Sequence, residues 1–279
     1  MPPAPGTQPE GIRDERAAAS YVREMFSRIA PRYDLLNHLL SLNLDRVWRR
    51  RTARRFAHIL SRGDASVLDL CCGTGDLTLA LADEAARVRE RGKVKIKIIG
   101  GTQRAQRGTE FHRGATIWGS DFAHPMLVRA VGKAGKSASP DFSEICFVEA
   151  DALALPWPEA SFDLVTVAFG FRNLANYQAG LREIRRVLKP GGEVGILEFA
   201  APRSRMIAAL YRMYFTRILP RIGGAVSGSR NAYTYLPASV MKFPSPEELQ
   251  SQMRAIGFTN PRTALWTFGV VALHTARKP

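Results

Sequence analysis

The residues best suited to chemistry begin at Asp69-Leu70-Cys71-Cys72-Gly73-Thr74-Gly75-Asp76, between the apolar run that opens at Val67 and an amphipathic stretch over 77–86. Glycines in such a strand-to-helix turn let the backbone come close to a ligand, at the sheet edge where α/β folds bind. A tight turn with no ligand is the plain alternative. Asp121 ends the next strand-like run, where a carboxylate can accept both hydrogen bonds of a ribose diol. An acid with that task usually follows the glycines by about 20 residues. Here the gap is far longer, and removing the basic segment 92–113 restores it. Asp151-Ala152 closes a third run, ahead of Leu155-Pro156-Trp157. An acid there can accept from an adenine amino group while a neighbouring N–H meets a ring nitrogen. Alone, Asp151 reads as a helix N-cap. Together, the three points favour recognition of an adenosine.

The elements that must hold these residues follow from periodicity. Residues 14–60 carry apolar positions at helical spacing (Val22, Phe26, Ile29, then Leu35, Leu36, Leu39, Leu40), punctuated by Pro31 and Asn43. Strand-like runs recur at 116–122, 145–150, 163–169 and 193–199. Helical patterns intervene at 125–131 and 178–188, the latter stopped by Lys189-Pro190-Gly191-Gly192. This alternation predicts an α/β, doubly wound, mostly parallel sheet with helices on both faces. Runs at 262–268 and 270–276 predict a closing hairpin, and 206–222 an apolar helix. The expected organisation is a disordered Pro-rich leader over 1–13, a helical cap over 14–60, and a ligand-binding domain over 61–279. That domain carries an exposed insertion at about 92–113 and a helical lid at about 203–250.

The net charge of +15 is the one abnormal bulk property of the 279 residues. Nine basic residues (Arg87, Arg89, Arg91, Lys93, Lys95, Lys97, Arg104, Arg107, Arg113) are opposed only by Glu90 and Glu110, so one segment carries nearly half of it. Smaller basic groups lie at 46–55 and 133–136. Such an excess attracts phosphates of any kind, lipid headgroup or RNA, and by itself selects neither. No apolar run approaches the roughly 18–20 residues of a membrane span. Three cysteines, two of them adjacent, make neither a disulfide framework nor a zinc site, so no metal is expected. A cytoplasmic setting is the expectation. None of the histidines forms a convincing triad: His38 and His58 read as surface or packing residues, His124 as a neighbour of the ligand, His274 as structural or pocket-facing.

Narrower elements complete the picture: Phe169-Gly170-Phe171-Arg172-Asn173-Leu174, Tyr33-Asp34-Leu35-Leu36-Asn37, Arg186-Val187-Leu188-Lys189-Pro190-Gly191-Gly192, Tyr233-Thr234-Tyr235-Leu236 and Gly269-Val270-Val271-Ala272-Leu273-His274. With the glycine turn, and from about Val22 to the C-terminus, the chain resembles the ubiquinone/menaquinone biosynthesis C-methyltransferase family. The resemblance implies a seven-stranded class I methyltransferase fold. It further implies methyl transfer from S-adenosyl-L-methionine to a ring carbon of a prenylated quinol, demethylmenaquinol first and a methoxy-polyprenyl benzoquinol second. Cofactor contacts are then expected at Asp69, Gly73, Thr74, Gly75, Asp121, Phe122, Asp151, Ala152 and Ala168. Two departures stand out. The insertion has no counterpart in the family pattern, and Ala168 occupies a position where some members carry a serine, so a hydroxyl contact is missing.

A sulfonium methyl is already activated, so the protein mainly aligns donor and acceptor and excludes water. Carbon is a poor nucleophile until a quinol hydroxyl ionises, which calls for a base or a phenolate-stabilising group. Arg172 and Asn173 are expected to position or stabilise that oxygen, with Tyr33 closing over the site. Arginine is no ordinary base, so its role is electrostatic or the orientation of a water. For Arg172 the alternative is a surface salt bridge. Tyr211, Tyr214 and Phe215 are expected on a helix that lines a channel for a prenyl tail or simply packs on the core. A lipid-tailed acceptor adds an expectation of weak peripheral membrane contact, and a homodimer is a further one. An RNA methyltransferase is the rival suggested by charge, but Ala168-Phe169-Gly170-Phe171 is not the Asn/Asp-Pro-Pro-aromatic turn of base N-methylation. No specific nucleic acid is therefore expected. A non-catalytic binding protein and a dehydrogenase are weaker rivals, the latter lacking Gly-x-Gly-x-x-Gly spacing.

Overall fold

The chain enters through α1 (Glu15–Ile29), whose N-cap Asp14 accepts from the Ala17 N–H and so satisfies one donor that the helix leaves open. After a 3₁₀ turn (Ala30–Arg32), α2 (Tyr33–Leu40), α3 (Leu44–Arg55) and the short α4 (Ala57–Leu60) complete the cap. This computed structural model describes residues 14–92, 115–136, 145–202 and 238–279, with isolated positions at 6, 7, 9, 11, 12, 204, 206, 209, 213 and 235. The insertion, apart from the end of its preceding helix, and most of the expected lid, including Tyr211, Tyr214 and Phe215, lie outside the described residues. Thr7, within the expected leader, is buried, and its N–H donates to the Leu174 carbonyl at 2.7 Å.

Seven strands follow: β1 (Ser66–Leu70), β2 (Thr116–Asp121), β3 (Ile145–Glu149), β4 (Phe162–Ala168), β5 (Leu188–Phe199), β6 (Thr259–Trp266) and β7 (Val271–Arg277). Between them run α5 (Asp76–Gly92), α6 (His124–Ala134), α7 (Tyr177–Val187) and α8 (Pro246–Ala255). The sheet order is β3-β2-β1-β4-β5-β7-β6. The first five are mutually parallel, and β7 inserts antiparallel between β5 and β6. Doubly wound crossovers send successive elements to opposite sides of β1, which makes the gap between β1 and β4 the topological switch point where such folds bind ligands. Alternation builds two cores. Val67 and Leu164 face Phe56, Leu77 and Leu81 on one side, whereas Leu68, Val165 and Val167 face Leu181, Ile184 and Met253 on the other.

Most boundaries shift by a residue or more from periodicity, and two shifts have a clear local cause. Phe169 leaves the strand, with φ of 58°, so β4 ends one residue early. Lys189-Pro190-Gly191-Gly192 stops α7 as expected but lies within β5, where it forms an irregularity in the ladder between Phe162 and Leu164. Proline and a left-handed glycine interrupt regular pairing without ending the strand direction.

Candidate active site

At the carboxyl edge of β1, β2, β3 and β4 lies an open cleft whose empty space, continuous with solvent, is about 730 Å³. Of the residues singled out from sequence, it brings together Tyr33, Gly73, Asp121, Phe122, Asp151, Ala152, Ala168 and Asn173. Asp69 and Thr74 border an adjoining recess of about 300 Å³, shared with Arg49 and Asp76. Gly75 and Arg172 line neither. Two close approaches make the cleft. Gly73 has φ of 57° and faces Tyr33 Cε1, 3.8 Å from where a Cβ would sit. A Cβ on Gly170 would stand 2.4 Å from that of Cys71, so only glycine lets the turn after β4 rest on the turn after β1.

The two buried acids of this edge do different work. Asp121 accepts from the Gly73 N–H and the Ala123 N–H, both at 2.9 Å. Burial raises its pKa, and these backbone donors oppose the rise. Each carboxylate oxygen keeps a lone pair for a diol. Asp69 instead points inward, accepting from Thr78 Oγ1 at 2.6 Å and Thr166 Oγ1 at 3.0 Å. Burial pushes it up to about 7. It therefore ties β1 to α5 and β4. Asp151 is exposed, and one of its oxygens accepts from the Leu153 N–H at 2.9 Å, an N-cap-like bond that leaves the other free.

Two residues of the recess, Arg49 and Asp76, were not singled out from sequence. Arg49, 7% exposed, lies against Asp45 and 3.5 Å from Asp76. Asp76 Oδ2 is buried without a hydrogen-bond partner. His38, Asp45 and Asp76 bring potential ligand atoms within 4.8 Å of one another, but the guanidinium already fills the cationic position. Lys133 bridges Asp34 at 2.7 Å and Asp76 at 2.6 Å, and donates to Thr74 Oγ1 at 2.9 Å. Thr74 in turn donates to Asp34, so the cap and the glycine turn share one charged network. Helical phase offered a signal: Asp45, Trp48, Arg49 and Thr52 share the buried face of α3.

On the opposite wall, Arg172 is a buried ion-pair residue and not an exposed donor. Its Nη1 contacts Glu198 Oε2 at 2.9 Å, and its backbone N–H donates to Glu198 Oε1 at 3.1 Å. Its guanidinium lies 5.5 Å from the Phe199 ring centroid, and its Nε has no partner. Arg172 is thus a charge held behind the cleft wall, a placement compatible with an electrostatic role. The surface salt bridge is replaced by a buried one, because β5 delivers Glu198 fully buried beneath the 3₁₀ turn Phe171–Asn173. Asn173 reaches the cleft itself. Its Oδ1 accepts from Tyr235 Oη at 3.1 Å, and Tyr235 Oη lies 2.6 Å from Thr7 Oγ1. Because the phenol has one proton and gives it to Asn173, Thr7 donates to Tyr235. The bond from Tyr235 leaves the Asn173 NH₂ group as a donor. Burial raises the Tyr33 hydroxyl pKa, opposed by Asn37, Arg172 and Arg49. His274 is buried within β7, bonded to Thr263 at 3.0 Å and lowered to about 4 by desolvation, so it is structural. His124 is exposed and contacts Glu149 at 2.9 Å.

The residues fit S-adenosylmethionine. The cleft offers apolar walls with the carboxylates of Asp121 and Asp151 beyond two neighbouring strands. The recess sets a guanidinium beside a carboxylate oxygen that has no hydrogen-bond partner, chemistry suited to an α-amino-acid end. The sequence matches the family described as ubiE/COQ5 methyltransferase over residues 13–278. The chain belongs to that family. It is an S-adenosylmethionine-dependent methyltransferase. A demethylmenaquinone methyltransferase of Deinococcus radiodurans is 45% identical over 96% of this chain and 96% of its own length. A ubiquinone/menaquinone biosynthesis C-methyltransferase, UbiE, of Geobacter sulfurreducens is 40% identical over 92% and 88%. Among solved structures, an S-adenosylmethionine-dependent methyltransferase from Aquifex aeolicus superposes with a TM-score of 0.56 at 14% identity, covering 88% of this chain and 98% of its own. That likeness concerns the fold alone.

Proposed function

We propose that the protein methylates a ring carbon of a prenylated quinol in quinone biosynthesis, with demethylmenaquinol as the acceptor. The naming of the Deinococcus relative favours this acceptor over a ubiquinone precursor. The observation that carries the reading is the pairing, in one cleft, of Asp121 and Asp151 over β2 and β3 with Asn173 beyond β4. Bound S-adenosylmethionine would supply a methyl group already activated on a positive sulfur. Asp121, Phe122, Asp151 and Ala152 would hold its adenosyl part, and Arg49 and Asp76, beside Thr74 and Gly73, its amino-acid end.

The acceptor side needs electron density on carbon, which an ionised quinol hydroxyl provides. The Asn173 amide, its oxygen engaged by Tyr235, donates to that oxygen. Arg172, behind the wall, adds positive potential and is kept in position by Glu198. Tyr33, on the cap, covers the cleft and helps exclude water. The test is methyl transfer to demethylmenaquinol and to a methoxy-polyprenyl benzoquinol in parallel. Turnover on the first is expected to dominate. Turnover on neither, with cofactor binding intact, removes the quinol assignment. The prenyl tail adds a source requirement: the acceptor resides in a bilayer, so the reading includes peripheral contact with a membrane surface. Among the described residues no helix is long and apolar enough to cross one.

A further inference from the structure

Two tips of the molecule expose large apolar side chains from backbone conformations that L-residues rarely adopt. At the turn between α2 and α3, Leu42 is 77% exposed with φ of 53°, followed by Asn43 at 61°. At the turn between β6 and β7, Phe268 is 80% exposed with φ of 57°, preceded by Thr267 at 50°. Left-handed backbone favours glycine or asparagine, so leucine and phenylalanine at these positions oppose local preference. Solvent exposure gives them no compensating contact within the chain.

Both tips are rigidly mounted on the same edge. The first is boxed by bonds from the Asn43 N–H to the His38 carbonyl (2.8 Å) and from the Leu44 N–H to the Ser41 carbonyl (3.0 Å). The second starts where β7 pairs Val271 with Phe199, the last residue of β5, so it lies at the carboxyl edge of the sheet. Trp48 of α3 joins them, donating through Nε1 to Thr267 Oγ1 at 2.8 Å and packing on Phe169, which lines the cleft. Arg51 lies 4.6 Å from the Trp266 ring centroid. The outer face of α3 carries exposed Arg46, Arg50 and Arg54 around exposed Val47. The one acid of that helix, Asp45, is turned inward onto Arg49.

We infer that the α2–α3 turn, the outer face of α3 and the β6–β7 turn form one docking face for an anionic phospholipid bilayer. Leu42 and Phe268 enter the headgroup–acyl boundary while Arg46, Arg50 and Arg54 lie on lipid phosphates. A basic helix alone would serve an RNA equally well, but two exposed apolar tips flanking it suit a surface with an apolar layer beneath its phosphates. The face rests on the reading of a lipid-tailed acceptor, and it brings the cleft rim to the bilayer from which that acceptor comes.

The experiment is flotation of the full-length protein with phosphatidylcholine vesicles with and without phosphatidylglycerol, comparing wild type, L42N/F268N and R46E/R50E/R54E. Asparagine suits both left-handed positions, so the first variant is expected to be at least as stable as wild type to urea. Its partition onto anionic vesicles should nevertheless fall roughly ten- to a hundredfold. The arginine variant should lose a comparable factor and its salt dependence. Unchanged partition of L42N/F268N, equal binding to neutral vesicles, or no vesicle binding by wild type alongside tight RNA binding at physiological salt would each overturn the docking face. Methyl transfer separates this from the functional reading. A short-tailed soluble quinol should be turned over equally by wild type and L42N/F268N, and a long-tailed quinol in vesicles more slowly by the variant. Normal flotation with no turnover of any quinol would sink the quinol assignment and leave the docking face standing.

Discussion

The two halves of the sheet's carboxyl edge are built on opposite plans. Over β1, β2 and β3, the functional acids are held mainly by groups close in the chain or in adjacent turns: Asp121 by Ala123 and Gly73, Asp151 by Leu153. Over β4 and β5, the acceptor wall depends on partners far away in sequence, with Glu198 beneath Arg172 and Thr7 and Tyr235 behind Asn173. Backbone donors at a strand end recur wherever the fold does, so the first half is suited to a shared cofactor. Side-chain relays are particular to one chain, so the second half is suited to a particular acceptor.

Four measurements would break or sharpen this contrast. The largest effect is expected from Glu198→Ala, which strands a buried guanidinium and should cost about 3–5 kcal/mol in urea denaturation. A loss below about 1 kcal/mol would mean that Arg172 finds water or another partner, and that the acceptor wall is not held by this pair. Next, Asp121→Ala should weaken S-adenosylmethionine binding on the order of 100-fold by calorimetry, through lost charge-assisted bonds. Affinity unchanged would remove the acid from the cofactor half.

Tyr235→Phe separates the halves most directly. It frees the Asn173 amide to rotate, so kcat should fall about tenfold while cofactor Kd stays put. Equal effects on both would merge the two walls into one unit. A pH-dependent test concerns Asp69. Its folded pKa of about 7 lies above that of an unfolded aspartate, so the stability it contributes is fully present below about pH 4 and is lost as pH rises through about 7. The stability of wild type relative to Asp69→Asn should decline between about pH 4 and about pH 7. A flat difference would show the carboxylate charged throughout, and so in contact with solvent or ligand.

Sequence alone determined the alternating α/β architecture, the glycine turn, and Asp121 and Asp151 at successive strand ends. Each of these is a local pattern: period two or 3.6, a turn composition, an acid closing an apolar run. The resemblance carried by Phe169 to Leu174 and by Tyr33 to Asn37 then narrowed the chemistry. Tertiary structure alone decided what those patterns could not encode. Arg172 holds a buried ion pair where the alternative had been a surface one, because β5 brings Glu198 under it. Arg49, one of a run of arginines, became a recess residue because helical phase turned it inward onto Asp45 and Asp76. Asp69, beside the glycines in sequence, proved an anchor, since its neighbours in space are Thr78 and Thr166. A side chain's role depends on what packs against it, and those contacts join residues that no local spacing relates.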